Sequence, residues 1–364
     1  MGLRRGDRLG VLTSGGDAPG MNAALRAVAR VGAELGLDVV GVEDGYTGLL
    51  EGRVRTMDLA VLDDAARRGG TVLGTARSKV FPTPEGQARA REKVVALGLR
   101  GLVVIGGNGS LAGARSLLGA RTDEGGTLAV AGVPASIDND LGCTSMALGV
   151  DTAMNTIVEA IDRIDDTASA HHRTFFIEVM GRDCGYLAMT AGIAAGADAV
   201  LVPEVDRSEA DRIAHVTDVV LRAYEGKSAR RRVLVIKAEG ARVDLAVLKR
   251  EVEARLAARV PDVDTRITVL GHVVRGGSPT AFDRLLAARL CNAAVRALAD
   301  GEQDFMAGWL GAGVDGAPTA YDPSVVLTPI ATVLDETAKM MRGETALAAW
   351  RRRVYREVEP IIAR

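Results

Sequence analysis

Leu102-Val103-Val104-Ile105-Gly106-Gly107-Asn108-Gly109-Ser110 runs from an unbroken apolar stretch straight into a glycine loop. Continuous Leu, Val and Ile suits a strand buried on both faces, and the glycines that follow suit a tight turn into a helix. Upstream, Leu9–Thr13 reads as a strand leading into Ser14-Gly15-Gly16, with helical spacing over Ala23–Leu35 and another strand at Val39–Val42. Glu85–Leu97 reads as a helix and Leu128–Val133 as a strand. Downstream the spacing predicts helix Val150–Ala170, strand Thr174–Met180, helix Tyr186–Ala195, strand Ala199–Val202 and helix Glu209–Tyr224. Strand Val233–Ile236, helix Leu245–Arg259, strand Ile267–Leu270 and helix Ala281–Leu298 close the series. This alternation predicts an α/β fold of two Rossmann-like three-layer lobes, each a mostly parallel sheet with helices on both faces. The Gly/Asp-rich stretch Asp138–Gly149 is the expected join between them.

At 364 residues the chain has room for two domains, at roughly 150 residues each. Lys and Arg number 45 against 47 Asp and Glu, a net charge of −2 that excludes a chain-wide basic footprint for nucleic acid. The basic segment Trp350–Arg356 reads as a solvated or interfacial helix face. Three cysteines without a CxxC pair argue against a disulfide framework and for a reducing cytoplasm. The first residues lack a signal-peptide core, and no run approaches the roughly 18 apolar residues of a membrane span. A cytoplasmic chain with no membrane partner is expected. Glycine is enriched, 43 residues where about 7% usage is ordinary, while aromatics are only 3%.

Three strand ends carry candidate chemistry, because ligands of open α/β sheets bind beyond the carboxyl ends of the strands. Gly15-Gly16, ahead of a helix, could turn backbone N–H groups toward an anion or could be a plain tight turn. Gly107-Asn108-Gly109-Ser110 repeats the design, and two such loops together describe a polyphosphate pocket. Ser136-Ile137-Asp138-Asn139-Asp140 sets two carboxylates two apart, suited to Mg2+ and proton transfer or equally to an Asx-rich turn. The later half supplies Arg173, Arg182, His272 and Arg275, which fit a phosphorylated substrate as a group and surface charges one by one.

Four runs resemble the phosphofructokinase family: Gly10–Asn22, Ser136–Asp140, Glu178–Arg182 and Gly271–Gly277. They fall in the family's order over roughly residues 8–325. The resemblance implies a cytoplasmic, homotetrameric phosphotransferase of glycolysis that moves the γ-phosphoryl group of ATP, as its Mg2+ complex, to the 1-hydroxyl of fructose 6-phosphate. It implies that Asp138 is the base, that Gly16 offers N–H groups to the transferred phosphoryl group, and that Arg77 neutralises charge between donor and acceptor. Gly15, Gly16, Arg77, Gly107, Asn108, Gly109 and Ser110 would hold the nucleotide, with Asn108 and Asp140 at the metal. Ser136, Met180, Arg182, Glu239, His272 and Arg275 would hold the sugar phosphate, together with Arg173 and Arg266 from a neighbouring subunit. The lobes would be 1–149 with about 274–324 for the donor, and 150–273 with about 325–364 for the sugar.

The chain departs from the family pattern at several positions. Asn108 stands where the family has Asp, removing a charge from the metal site. Gly109 and Ala135 stand where pyrophosphate users resemble one another in having Asp and Lys, which favours ATP. Arg26 and Arg30 match effector-binding arginines of bacterial relatives, but Leu59 and Asp165 stand where further ones are expected. A pyrophosphate-dependent enzyme, another phosphosugar kinase and a catalytically weak sugar-phosphate-binding regulator are the alternatives.

Overall fold

A computed structural model describes residues 2–122, 126–225, 232–311 and 314–362. Its contacts divide the chain into two units, Met1–Thr152 with Arg275–Leu347 and Ala153–Val274 with Ala348–Arg364.

The first unit contains β1 (Arg8–Ser14), α1 (Met21–Glu34), β2 (Asp38–Val42), α2 (Gly45–Glu51), β3 (Val54–Thr56), α3 (Leu59–Ala65), α4 (Pro84–Ala96), β4 (Leu99–Gly106), α5 (Asn108–Ser116) and β5 (Ala129–Pro134). Helix α6 (Val150–His171) starts in this unit and continues into the second. The second unit holds β6 (Arg173–Val179), α7 (Tyr186–Ala194), β7 (Ala199–Leu201), α8 (Glu209–Glu225), β8 (Val233–Ala238), α9 (Leu245–Leu256), β9 (Asp264–Val269) and the short 3-10 helix Gly271–Arg275. The chain then returns to the first unit through α10 (Ala281–Asp300), β10 (Phe305–Trp309), β11 (Val325–Pro329) and α11 (Ile330–Met341), and ends with α12 (Ala346–Ile362).

The first unit's sheet has seven strands in the order β11-β10-β5-β4-β1-β2-β3. Its five central strands run parallel, while β3 and β11 pair antiparallel at the edges. Leu102 and Val104 of β4 lie in one apolar cluster with Tyr46 and Leu49 of α2, Val94 of α4, Leu111 of α5 and Ile330 of α11. Strand alternation turns Val103 and Ile105 to the opposite face, and all four are fully buried, as continuous hydrophobicity requires. The second unit's sheet is all parallel, in the order β7-β8-β6-β9. Phe176 of β6 and Val235 of β8 share a cluster with Val216 of α8 and Leu248 of α9.

The structure corrects three expectations. Residues 325–347 belong to the first unit, because β11 pairs with β10 in register Phe305↔Pro329 to Trp309↔Val325, and the join of the units falls after Thr152. Strand β9 is an edge strand with Ile267 and Val269 exposed, so its apolar run is not buried on both sides. Within Trp350–Arg356, Arg351 is buried, with its guanidinium stacked 4.7 Å from the centre of the Tyr186 ring.

Candidate active site

Strands β5, β4 and β1 are neighbours, so their carboxyl ends bring Ser136–Asp140, Gly107–Ser110 and Gly15-Gly16 to one edge of the first sheet. Gly15 has φ +89°, a left-handed conformation that favours glycine. Its carbonyl accepts a hydrogen bond from Thr75 Oγ1 at 2.7 Å, and Thr13 Oγ1 donates to the Gly74 carbonyl at 2.9 Å. These bonds stitch the segment carrying the exposed Arg77 to the first glycine loop. A Cβ on Gly16 would stand 2.6 Å from Arg275 Nη1, which donates to the Asp17 carbonyl at 3.2 Å. Arg275 belongs to the first unit and lies against the glycine loop. Helix α1 starts at Met21, after a left-handed Gly20 and two residues before the expected Ala23, so four residues separate Gly16 from the helix.

The second loop runs directly into its helix. Helix α5 begins at Asn108 immediately after β4, with Gly107 as an N-cap that makes no side-chain capping bond. That leaves first-turn N–H groups and the helix dipole for an anion. The glycines differ in purpose. A Cβ on Gly106 would meet the Ser14 carbonyl and Ser110 Oγ, both at 2.5 Å, so this glycine lets β1 and the start of α5 approach. A Cβ on Gly109 would meet nothing within 4 Å. Asn108 and Gly109 are exposed.

At the third strand end the chain makes a turn centred on Asn139, with the two carboxylates on either side of it. Asn139 is the turn residue, fully buried at φ 52°. It donates through Nδ2 to the Ser145 carbonyl and accepts from the Ala147 N–H, both at 3.0 Å. Asp138 and Asp140 flank it, half-buried, and Asp140 accepts a 2.7 Å bond from Ser136 Oγ. Among the described residues no group of three or more His, Cys, Asp or Glu converges on a metal position. Two carboxylates on one turn nevertheless suit Mg2+, which takes one or two protein carboxylates and draws its remaining oxygens from substrate phosphates and water.

In the second unit Met180 and Arg182 follow β6, Glu239 follows β8 and His272 follows β9. All four sit at the carboxyl edge of the sheet, with Arg182, Glu239 and His272 exposed. Arg173 opens β6 at the other edge, where its Nε pairs with Asp264 Oδ2 at 2.6 Å. Arg266 pairs with the same Asp264. The parallel register Arg173↔Asp264 and Phe175↔Arg266 separates these two arginines from the Met180–Arg182 end.

Several supporting residues had no role in the sequence reading. Buried Asn22 takes the Val72 N–H at 2.8 Å and donates to the Arg68 and Gly69 carbonyls, both at 3.2 Å, holding the loop that leads to Arg77. Asp283 is fully buried and accepts from the N–H groups of Gly149 and Thr152, at 2.9 and 2.8 Å, and from Thr152 Oγ1 at 2.5 Å. Burial pushes its carboxyl above the usual carboxylate range. Lys237, also buried, pairs with Glu178. A charge inside an apolar strand, as in Val233-Leu234-Val235-Ile236-Lys237-Ala238, was the available signal for this pair. Arg26 and Arg30 both pair with Asp63, and Asp165 pairs with buried Arg232.

A sequence model of the family described as Phosphofructokinase matches residues 8–298. The chain belongs to the phosphofructokinase family. This family member is 46% identical over 302 residues to the ATP-dependent 6-phosphofructokinase of Natranaerobius thermophilus, covering 83% of this chain and 89% of that one. It is 46% identical over 314 residues to ATP-dependent 6-phosphofructokinase 1 of Thermus thermophilus, covering 85% and 92%. The structure of phosphofructokinase from Saccharomyces cerevisiae superposes with a TM-score of 0.82 at 34% identity, over 94% of this chain. The present family member spans 48% of that yeast chain, about half its length. A pyrophosphate-dependent phosphofructokinase from Marinobacter aquaeolei superposes with a TM-score of 0.76 at 20% identity, over 90% and 83% of the two chains, a likeness of fold alone.

Proposed function

We propose that the chain is an ATP-dependent 6-phosphofructokinase, transferring the γ-phosphoryl group of ATP to the 1-hydroxyl of fructose 6-phosphate in glycolysis to give fructose 1,6-bisphosphate and ADP. The observation that carries this reading is the adjacency of three strand ends, two glycine loops and one paired-carboxylate turn, on β1, β4 and β5. Phosphoryl transfer asks little covalent chemistry of the protein, so positioning and charge neutralisation supply most of the rate. Asp138 takes the proton of the sugar's 1-hydroxyl as its oxygen attacks the γ-phosphorus. Arg77, Arg275 and the N–H groups at Gly15-Gly16 neutralise the three equatorial oxygens. The contact of Arg275 with Gly16 supports that role.

The uncapped first turn of α5 takes the nucleotide phosphates at Gly107, Asn108, Gly109 and Ser110. Mg2+, when bound with ATP, draws charge from the phosphates; Asp140 and the Asn108 carbonyl oxygen are the residues that would hold it. The open space at Gly109 and the neutral side chain of Ala135 support ATP over pyrophosphate as donor. In the second unit Met180, Arg182, Glu239 and His272 bind fructose 6-phosphate, and Ser136 assists from the Asp138 turn. Arg173 and Arg266, at the far edge of their own sheet, are suited to serve another copy's sugar phosphate, which supports a homotetramer with shared sites.

Purified protein given Mg2+, fructose 6-phosphate and either ATP or pyrophosphate is expected to form fructose 1,6-bisphosphate with ATP. Product from pyrophosphate alone overturns the donor assignment. Absence of product with both donors, with sugar-phosphate binding retained, favours a regulatory role resting on the lost charge at Asn108.

A further inference from the structure

Lys237 is the one charged residue of β8, a strand otherwise made of Val, Leu, Val, Ile and Ala, and its side chain is 3% exposed. Its register partner on β6 is Glu178, 23% exposed, with Nζ to Oε2 at 2.7 Å. The same ammonium donates to the backbone carbonyl of Glu239 at 3.2 Å. Stability is a weak explanation for such a pair, because desolvation of the buried ammonium and the partly buried carboxylate offsets most of their attraction and an apolar pair of similar volume holds a sheet as well.

The location of the pair is informative. Glu178 is the second residue before Met180, and Lys237 the second before Glu239. The backbone ties the same segments together: Glu239 N–H donates to the Val179 carbonyl at 2.9 Å and Gly240 N–H to the Gly181 carbonyl at 3.1 Å. The Glu178 carbonyl accepts from Leu270 N–H at 3.0 Å, two residues before His272. One ion pair thus lies beneath three strand ends that carry Met180 and Arg182, Glu239, and His272.

We propose that Lys237 is a positioning residue for the sugar phosphate: held by Glu178, its ammonium fixes the Glu239 carbonyl and sets the spacing of the β6 and β8 ends that bind the acceptor. The proposal rests on the sugar-binding role given to those ends above. An ammonium with three donors on a flexible stem can serve a side chain and a main-chain carbonyl at once, which no apolar replacement can do.

The test compares wild type with Lys237→Met, Glu178→Gln and the double variant. Lys237→Met keeps the length of the side chain and removes its charge and donors. Its KM for fructose 6-phosphate is expected to rise about tenfold, since a misplacement on the order of 1 Å in a positioning contact can cost as much as roughly a hundredfold. Its KM for ATP is expected to stay within about twofold, because the donor loops belong to the first unit. Glu178→Gln keeps an oxygen for the ammonium and is expected to give a smaller shift of the same kind. The double variant, which strands no charge, is expected to regain thermal stability but not sugar affinity.

An unchanged KM for fructose 6-phosphate in folded Lys237→Met overturns the proposal, as does an equal change in both KM values. Should Lys237→Met not fold, an unchanged fructose 6-phosphate KM in Glu178→Gln overturns it. A wild type that forms no fructose 1,6-bisphosphate refutes the catalytic reading instead. Calorimetric Kd values for fructose 6-phosphate then decide on Lys237, with equal values for wild type and Glu178→Gln counting against it.

Discussion

Replacing Gly109 with Asp should move stability and nucleotide affinity in opposite directions. Gly109 is the second residue of α5, exposed, and its added Cβ would find nothing within 4 Å. Removing a helical glycine recovers roughly 0.5–1 kcal/mol of backbone entropy. A carboxylate in the first turn adds about 0.3–1 kcal/mol through the helix dipole. Folding should therefore be unharmed or strengthened by about 1 kcal/mol. The same carboxylate would stand where nucleotide phosphates are proposed to bind. Two unit charges at about 4 Å repel by about 1 kcal/mol in bulk water and about 4 kcal/mol near a protein surface. Because this position is open to solvent, about 1–2 kcal/mol is the appropriate range, equivalent to a KM for ATP raised roughly five- to thirtyfold. Thermal denaturation and steady-state kinetics with ATP varied at saturating fructose 6-phosphate measure the two effects. An ATP KM within twofold of wild type would refute phosphate binding at α5. A melting temperature lowered by several degrees would refute the free space at Gly109.

Four further outcomes follow from the same geometry. Asp138→Ser should lower kcat by about 10²–10⁴ with little change in either KM, since a general base acts in the transition state; near-normal turnover in a steady-state assay removes Asp138 from that role. Gly106→Ala, whose methyl would stand 2.5 Å from the Ser14 carbonyl, should cost about 1–3 kcal/mol in urea unfolding, unlike any change at Gly109. Asp283→Ala strands two N–H groups and a hydroxyl and should cost about 3 kcal/mol or more. Because burial raises the folded pKa of Asp283 above its unfolded value, its contribution is complete below the unfolded value and is lost as pH rises through the folded one, so the variant's stability profile should be flatter across that window. Burial, aided by Glu336, pushes the Cys143 thiol up to about 11, so its alkylation at pH 8 should be on the order of a hundredfold slower than a free thiol's and should accelerate with pH.

Much of the fold was legible because buried parallel strands write themselves as continuous apolar runs. β4 and β5 needed no more than their own residues. The edges were harder to read. β10 and β11 lie late in the chain among turn residues, and nothing local in Phe305–Trp309 says that it pairs with β5. β9 resembled a buried strand because Ile267 and Val269 are apolar, yet the sheet ends there. The candidate site followed the same rule. Glycine loops and the Asp138–Asp140 turn are local patterns, whereas the clamps of Asn22, Asp283 and Lys237 act on segments far off in sequence. Arg275 shows the gap most clearly: nothing in its own stretch of sequence says that its guanidinium approaches Gly16 and donates to the Asp17 carbonyl.

The pairing of Phe305 with Ala131 has a consequence for synthesis. A growing chain displays β1, β4 and β5 early, yet the edge of β5 stays open until residue 305 has emerged. The whole of β6 to β9 is made in between. The four-stranded sheet can therefore close on the ribosome while the seven-stranded one still waits for its last two strands. During that interval β5, with all six residues destined for burial, offers an unpaired strand edge. Truncation before β10 should yield aggregation-prone fragments, and the nascent chain is most exposed to misassembly while the middle of the molecule is being translated.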